Sequence, residues 1–216
     1  MSLLRVDASL RVEGSYSREL GDIVEQAWRA DRPNGHVVRR DVGLSPLRAT
    51  ALGDAISAGP LEPAQRTPDQ QQAVDLAETL GQELLDAGAL LLAVPFYNFG
   101  VSQHIKSWID LIFTHPAFYP GGPSPIAGKP AVLAVARGGA YGPGTPRDGW
   151  DHGTPWIRRI LEDVWRMDLN VVEIEFTLAG VSPGLDEFTE LAAELRTSAH
   201  ERARDHGKLL ARGTAA

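Results

Sequence analysis

The sequence predicts an α/β protein whose five parallel strands are covered by helices on both faces. Three observations carry that prediction. Short runs of β-forming residues alternate strictly with longer stretches of helical period, the mark of right-handed strand–helix–strand crossovers. Two of the short runs, "ALLLAV" at 89–94 and "AVLAVA" at 131–136, are apolar throughout, as strands buried on both sides must be. The length of 216 residues suits one sizeable core, so residues 1–216 are read as a single domain.

The elements follow in order. A first strand is expected over residues 2–8, then a helix over 17–30 that sets Leu20, Ile23, Val24, Ala27 and Trp28 on one side. A second strand is expected over 36–41, and a helix over 67–87, where Thr67 can cap and Pro68 suits the first helical position. The strand at 89–94 leads to a helix over 101–113 with Val101, Ile105, Trp108, Ile109 and Ile112 aligned. After the strand at 131–136 come a helix near 154–167, a strand over 170–177 and a helix over 184–211. Two connections, 42–66 and 114–130, are long and rich in Gly and Pro, and are expected to be binding loops or lids. Five such strands favour the doubly wound order 2-1-3-4-5, the flavodoxin-like arrangement.

Composition narrows the function. An apolar share of 43% and a charged share of 23% are those of an ordinary globular protein. With a net charge of -7 and basic pairs such as Arg39-Arg40 and Arg158-Arg159 scattered along the chain, no nucleic-acid footprint is present. The absence of cysteine excludes disulfides, thiolate metal sites and thiol nucleophiles. No apolar run approaches the ~18 residues of a membrane span, and Arg5 and Asp7 interrupt what would be a leader in "MSLLRVDA". A cytoplasmic protein is the expectation.

In a sheet of this order, ligands bind beyond the carboxyl ends of the strands where the order reverses, so the loops after strands one, three and four should share a cleft. The first reads "ASLRVEGSYSREL". Ser9, Ser15, Tyr16 and Ser17 there either receive a phosphate at a helix start or simply cap the helix. No Walker lysine is present, which points away from nucleoside triphosphates. The second is "PFYNFG" at 95–100, where Phe96, Tyr97, Asn98 and Phe99 form either a seat for a flat, polar-edged ring or a hydrophobic plug. The third, "ARGGAYGPGTPRDGWDHGTP", offers Gly138 and Gly139 for close backbone approach and Arg137 for an electron-rich carbonyl edge.

Other chemistry is poorly represented. The six histidines, at 36, 104, 115, 152, 200 and 206, lack metal-ligand spacing, and no G-x-S-x-G elbow occurs. Glu173 and Glu175 alternate along the last strand and are expected to face solvent.

"S-x5-S-Y-S", "FYNF-x6-K-x3-D" and "RGG", each after its own strand, together with "TPDQQQAV" and the "TP" at 154–155, resemble the FMN-dependent NADH azoreductase family. That family shares the flavodoxin-like fold and is related to the NAD(P)H quinone reductases. The resemblance covers nearly the whole chain. It implies that Ser9, Ser15, Tyr16 and Ser17 hold the ribityl phosphate of FMN, one per subunit. Pro95, Phe96, Tyr97, Asn98 and Phe99 would meet the isoalloxazine, and Ala136, Arg137, Gly138 and Gly139 its pyrimidine edge. Phe99, Phe118, Tyr119, Trp150 and Trp156 would form the substrate pocket.

The resemblance further implies a homodimer that passes two electrons from NADH or NADPH through FMN to quinones or azo compounds by a ping-pong mechanism. No side chain need act as acid or base, and Arg137 or backbone N–H groups at the pyrimidine edge would stabilise reduced flavin. A non-enzymatic flavodoxin-like electron carrier or flavin-binding module is the alternative. Gly100, a shortened 114–130 loop, and the charged segment "WIRRILEDVWRMDL" at 156–169 depart from the family pattern and leave the acceptor open.

Overall fold

The computed structural model describes residues 1–119 and 121–213; Pro120, within the expected 114–130 loop, and the last three residues of the expected 1–216 domain lie outside them. Five strands form one parallel sheet in the order 2-1-3-4-5: β1 Leu3–Asp7, β2 Val37–Asp41, β3 Ala89–Pro95, β4 Pro130–Ala136 and β5 Asp168–Ile174. All residues of β1, β3 and β4 are buried. The apolar runs of β3 and β4 thus reflect burial on two faces.

The side-chain alternation of the strands splits the core in two. Leu3, Leu91, Val132 and Ala134 pack against α1 (Tyr16–Asp31) and α6 (Thr189–Arg212) through Leu20, Val24, Trp28, Ala199 and Ala203. On the other face Leu4, Val6, Leu90, Leu92 and Leu133 meet α3 (Pro68–Asp86), α4 (Gln103–Ile112) and α5 (Thr154–Arg158). Gly207 of α6 faces the Val24 carbonyl so closely that a Cβ would collide with it. That contact lets the two helices lie backbone to backbone.

Helix starts follow sequence chemistry. Thr67 and Gln70 form a capping box with Pro68 at the first position, and Ser102 accepts the Ile105 N–H at the start of α4. Three expectations need correction. The 42–66 connection contains a helix, α2 (Ala51–Ala58), whose Ala51, Ala55 and Ala58 are buried. Its apolar stripe consists of alanines, too small to register as a periodic pattern. The helix expected over 154–167 is α-helical only to Arg158 and continues as a π-helical stretch, Arg159–Val164. The last helix begins at Thr189, preceded by a 3₁₀ segment, Pro183–Phe188.

One buried cation lies inside the sheet. Arg5, 3% exposed, projects from β1 toward α1 and pairs with Asp7 at 2.9 Å, Asp22 at 2.6 Å and Glu25 at 3.0 Å. Burial alone would discourage its charge, but these carboxylates outweigh that and raise its pKa. Removing one partner of such a cluster leaves a buried charge uncompensated.

Candidate active site

The loops after β1, β3 and β4 meet at the carboxyl edge of the sheet, where β1 and β3 lie side by side. They enclose a crevice of about 210 Å³ lined by Ser9, Ser15, Tyr16, Ser17, Pro95, Phe96, Tyr97, Ala136 and Gly138, with Arg11, Gly14, Thr177 and Leu178. Strand direction alone converges the three loops. Local chemistry then shapes each of them.

After β1, Gly14 turns the chain at a φ of 66°, a conformation cheap only for glycine. Ser15 caps α1 by accepting the Arg18 N–H at 3.4 Å. Its hydroxyl donates to Ser9 Oγ at 2.9 Å and lies 3.4 Å from Ser17 Oγ. Three hydroxyls thereby gather at the start of a 16-residue helix, where free N–H groups and the helix dipole favour an anion. The cap reading and the anion reading therefore describe the same serines.

The arginine in the first turn of α1 is committed to this loop's backbone. Arg18 donates to Ser9 O at 2.7 Å and Arg11 O at 2.8 Å, while Asp41 at the end of β2 receives it at 2.7 and 2.9 Å. Burial would push the Asp41 carboxyl up; bonds from Arg18 and from the Leu44 and Gly43 N–H groups outweigh that and hold it below the ordinary carboxylate range. Behind the loop, Gly43 packs on the Ser9 carbonyl so tightly that no side chain fits.

After β3, Phe96 N–H bonds to Ala136 O at 2.8 Å, which fixes this loop to the next. Tyr97 reaches back, its hydroxyl accepting the Leu10 N–H at 3.3 Å. Asn98 and Phe99 both adopt left-handed backbone, with φ of 48° and 66°, a conformation rare for a bulky residue and concentrated at functional sites. Both are exposed and stand outside the crevice at its mouth. There Phe99 meets Tyr141 edge-on at 6.3 Å and Trp150 at 5.5 Å.

The loop after β4 departs from expectation at Arg137. Its guanidinium does not enter the crevice; it lines a separate groove with Asp151, Thr154, Arg158 and Glu173. It is 6% exposed and engages Glu173 at 2.6 Å, Asp151 at 2.8 Å, Glu175 at 3.2 Å and Thr154 Oγ1 at 3.0 Å. Desolvation opposes its charge, and the surrounding carboxylates more than restore it. Glu173 and Glu175 therefore do not face solvent freely: the charge of Arg137 turns both toward the loop. Asp151 also accepts the Gly153 and Thr154 N–H groups at 2.9 and 2.8 Å, capping α5. Gly138 and buried Gly139 form the turn, and a Cβ at Gly138 would stand 2.7 Å from Leu178 Cδ1.

The expected substrate aromatics divide. Trp150 joins Phe99 at the mouth. Trp156 is half-buried beneath Lys106, whose ammonium lies 5.3 Å from the ring. Phe118 and Tyr119 belong to the connection from α4 back to the start of β4, which returns the chain to the amino edge of the sheet. Phe118 is buried there against Trp165 and His115, and Tyr119 is 74% exposed. Within one chain they do not line the crevice.

Sequence reasoning overlooked Tyr141, which packs on Phe96 at 4.9 Å, and Thr177 and Leu178, which follow β5. The first lay in plain view in the quoted loop. The others required knowing that β5 ends beside β4. Among the described residues no cluster of three or more His, Cys, Asp or Glu is placed to hold a metal, and no helix is long and apolar enough to cross a membrane.

A protein-family comparison matches residues 1–199 to a family described by its flavodoxin-like fold. The chain is 39% identical over 217 residues to an FMN-dependent NADH:quinone oxidoreductase of Frankia alni, covering 100% of this chain and 99% of that one. It is 35% identical to another of that name from a Parafrankia species, covering 94% and 97%. Among solved structures, an FMN-dependent NADH-azoreductase from Bacillus anthracis in complex with FMN superposes with a TM-score of 0.78 at 15% identity, over 98% of this chain and 100% of that one. That likeness speaks to the fold.

Proposed function

Because the chain belongs to the flavodoxin-like family of FMN-dependent NADH:quinone oxidoreductases, we propose that it oxidises NADH and reduces quinones through FMN held in the carboxyl-edge crevice. The observation that carries this reading is the convergence of Ser9, Ser15 and Ser17 on one point at the start of α1, directly beside Phe96 and Tyr97. Residues 1–216 serve as one FMN-binding domain.

The residues fit a phosphomonoester joined to a flat ring. Clustered hydroxyls and a helix start suit a dianionic phosphate, and Arg11 lines the same crevice while Arg18 is spent on loop carbonyls. Ser9, Ser15, Tyr16 and Ser17 would hold the phosphate end. Pro95, Phe96, Tyr97, Asn98 and Phe99 would hold the ring, with Ala136, Gly138 and Gly139 offering backbone to its polar edge. Arg137 contributes through its backbone position in that turn, its guanidinium serving the acids beneath.

When bound, FMN supplies the two-electron chemistry, accepting hydride from the nicotinamide and delivering both electrons to the acceptor. The chain's own part is seating and exclusion of water. Phe99, Tyr141 and Trp150 form the apolar mouth against which donor and acceptor bind in turn, one after the other, which is a ping-pong sequence. Azo compounds are flat, conjugated acceptors of the same kind and belong to the proposed range. Phe118 and Tyr119, remote from the crevice within one chain, would serve it only across a homodimer. Dependence on NADH would suit an enzyme of the cytoplasm.

The test is direct. Purified protein should show oxidised-flavin absorbance or regain it on FMN addition, and should oxidise NADH with menadione, giving parallel double-reciprocal lines. A protein that refuses FMN, or consumes no NADH once loaded, refutes the proposal.

A further inference from the structure

Resting on the reading of this crevice as a quinone reductase site, we propose that Arg147 makes it selective for molecules bearing an anionic oxygen group, a sulfonate or carboxylate, beside their reducible ring. Arg147 is exposed on the loop between β4 and α5. Its guanidinium carbon lies 5.7 Å from the Phe99 ring centre and 5.9 Å from that of Tyr141, and Nη1 donates to the Tyr141 hydroxyl at 3.3 Å. The same nitrogen is 3.8 Å from where a Cβ on Gly139 would stand. The cation is therefore fixed at the rim, over the two aromatic rings at the mouth and beside the glycine turn.

Its charge is unclaimed. On the loop after β4 and in α5, Arg137 is paired with Asp151 and Glu173 and Arg158 with Glu162, whereas among the described residues no carboxylate pairs with Arg147, nor with Arg11 on the loop after β1. In a chain of net charge -7, an unpaired arginine on an aromatic platform at a site mouth is a local reversal of sign. Stacking restricts the guanidinium and leaves most of its planar donor fork open, and that fork matches the oxygens of a sulfonate or carboxylate. The pyrophosphate of the dinucleotide donor carries similar oxygens, so the test separates donor from acceptor.

The FMN-loaded protein and its Arg147→Gln and Arg147→Lys variants are compared with 1,2-naphthoquinone-4-sulfonate and uncharged 1,2-naphthoquinone, at varied NADH in each case. The ratio of kcat/KM for charged over neutral quinone should fall about five- to tenfold in Arg147→Gln, as expected for charge-assisted hydrogen bonds at a half-open site, and partly recover in Arg147→Lys. Calorimetric titration with redox-inert naphthalene-2-sulfonate should show the same loss. An unchanged ratio with unchanged sulfonate binding overturns the proposal. So does a loss expressed only in KM for NADH, which would assign Arg147 to the donor. Failure of the wild type to reduce either quinone would refute the functional reading alone, and the sulfonate titration would still decide Arg147.

Discussion

The guanidinium of Arg18 and the carboxylate of Asp41 meet at 2.7 and 2.9 Å, a two-pronged pair that joins the end of β2 to the loop after β1. With its remaining donors Arg18 holds the carbonyls of Ser9 and Arg11. The hydroxyl cluster therefore owes its shape to a residue that contributes no atom to the crevice lining. Arg18→Gln is expected to weaken FMN binding about ten- to a hundredfold, the equivalent of one or two charge-assisted hydrogen bonds. Fluorescence titration of the apoprotein measures it, and an affinity within twofold of wild type would contradict the bracing role.

The same pair sets a pH dependence. Asp41 has a pKa below its ordinary value of 3.8, so its carboxylate stabilises the fold fully above that pH, and the contribution disappears as pH falls through the lower folded value. The stability gap between wild type and Asp41→Asn, followed by urea unfolding of the apoprotein, should be constant from neutrality down to about pH 5 and narrow below pH 4. A gap that widens on acidification would show the sign to be wrong.

Two glycines near the crevice should respond differently to alanine. At Gly43 the added methyl meets the Ser9 carbonyl group, which is backbone and cannot step aside without moving the hydroxyls. Gly43→Ala should cost about 2 kcal/mol of stability and most of the FMN affinity. At Gly138 the methyl meets Cδ1 and Cγ of Leu178, at 2.7 and 3.1 Å, in a 39%-exposed side chain able to rotate away. Gly138→Ala should leave stability within about 0.5 kcal/mol while narrowing the crevice. Thermal unfolding and FMN titration of both variants separate the cases.

Arg137 should matter more than any single acid around it. Arg137→Met removes the buried cation that Glu173, Glu175 and Asp151 share, leaves the three facing one another, and should destabilise the protein by about 3 kcal/mol. Glu173→Gln, at a carboxylate 38% exposed, should cost under about 1 kcal/mol. Hydrogen exchange would localise the first effect to residues 137–154, because Asp151 anchors the start of α5 through the same cluster. Equal costs for the two substitutions would refute the hub role.

Much of the molecule was legible because the physics is local or periodic. Strands β3 and β4 announce themselves by apolar runs, Thr67 and Pro68 by capping chemistry, and the site by the direction in which parallel strands end. Helix α2 escaped because alanine supplies too little contrast. Glu173 and Glu175 were misjudged because alternation reports which face a residue lies on and says nothing of an arginine reaching it from the neighbouring strand. Phe118 and Tyr119 lie away from the crevice of their own chain because any connection leading into a parallel strand must come back to its amino end. Tyr141, Leu178 and Arg147 sit in aperiodic loops, and only the tertiary fold brings them to the mouth.

Three carboxylates grouped about the single guanidinium of Arg137 leave the ground under the glycine turn electronegative. An uncharged oxidised ring is nearly indifferent to such a field, whereas a reduced, anionic one is repelled by it. Were FMN seated as proposed, these acids would favour its oxidised form, a disposition suited to turnover more than to storage.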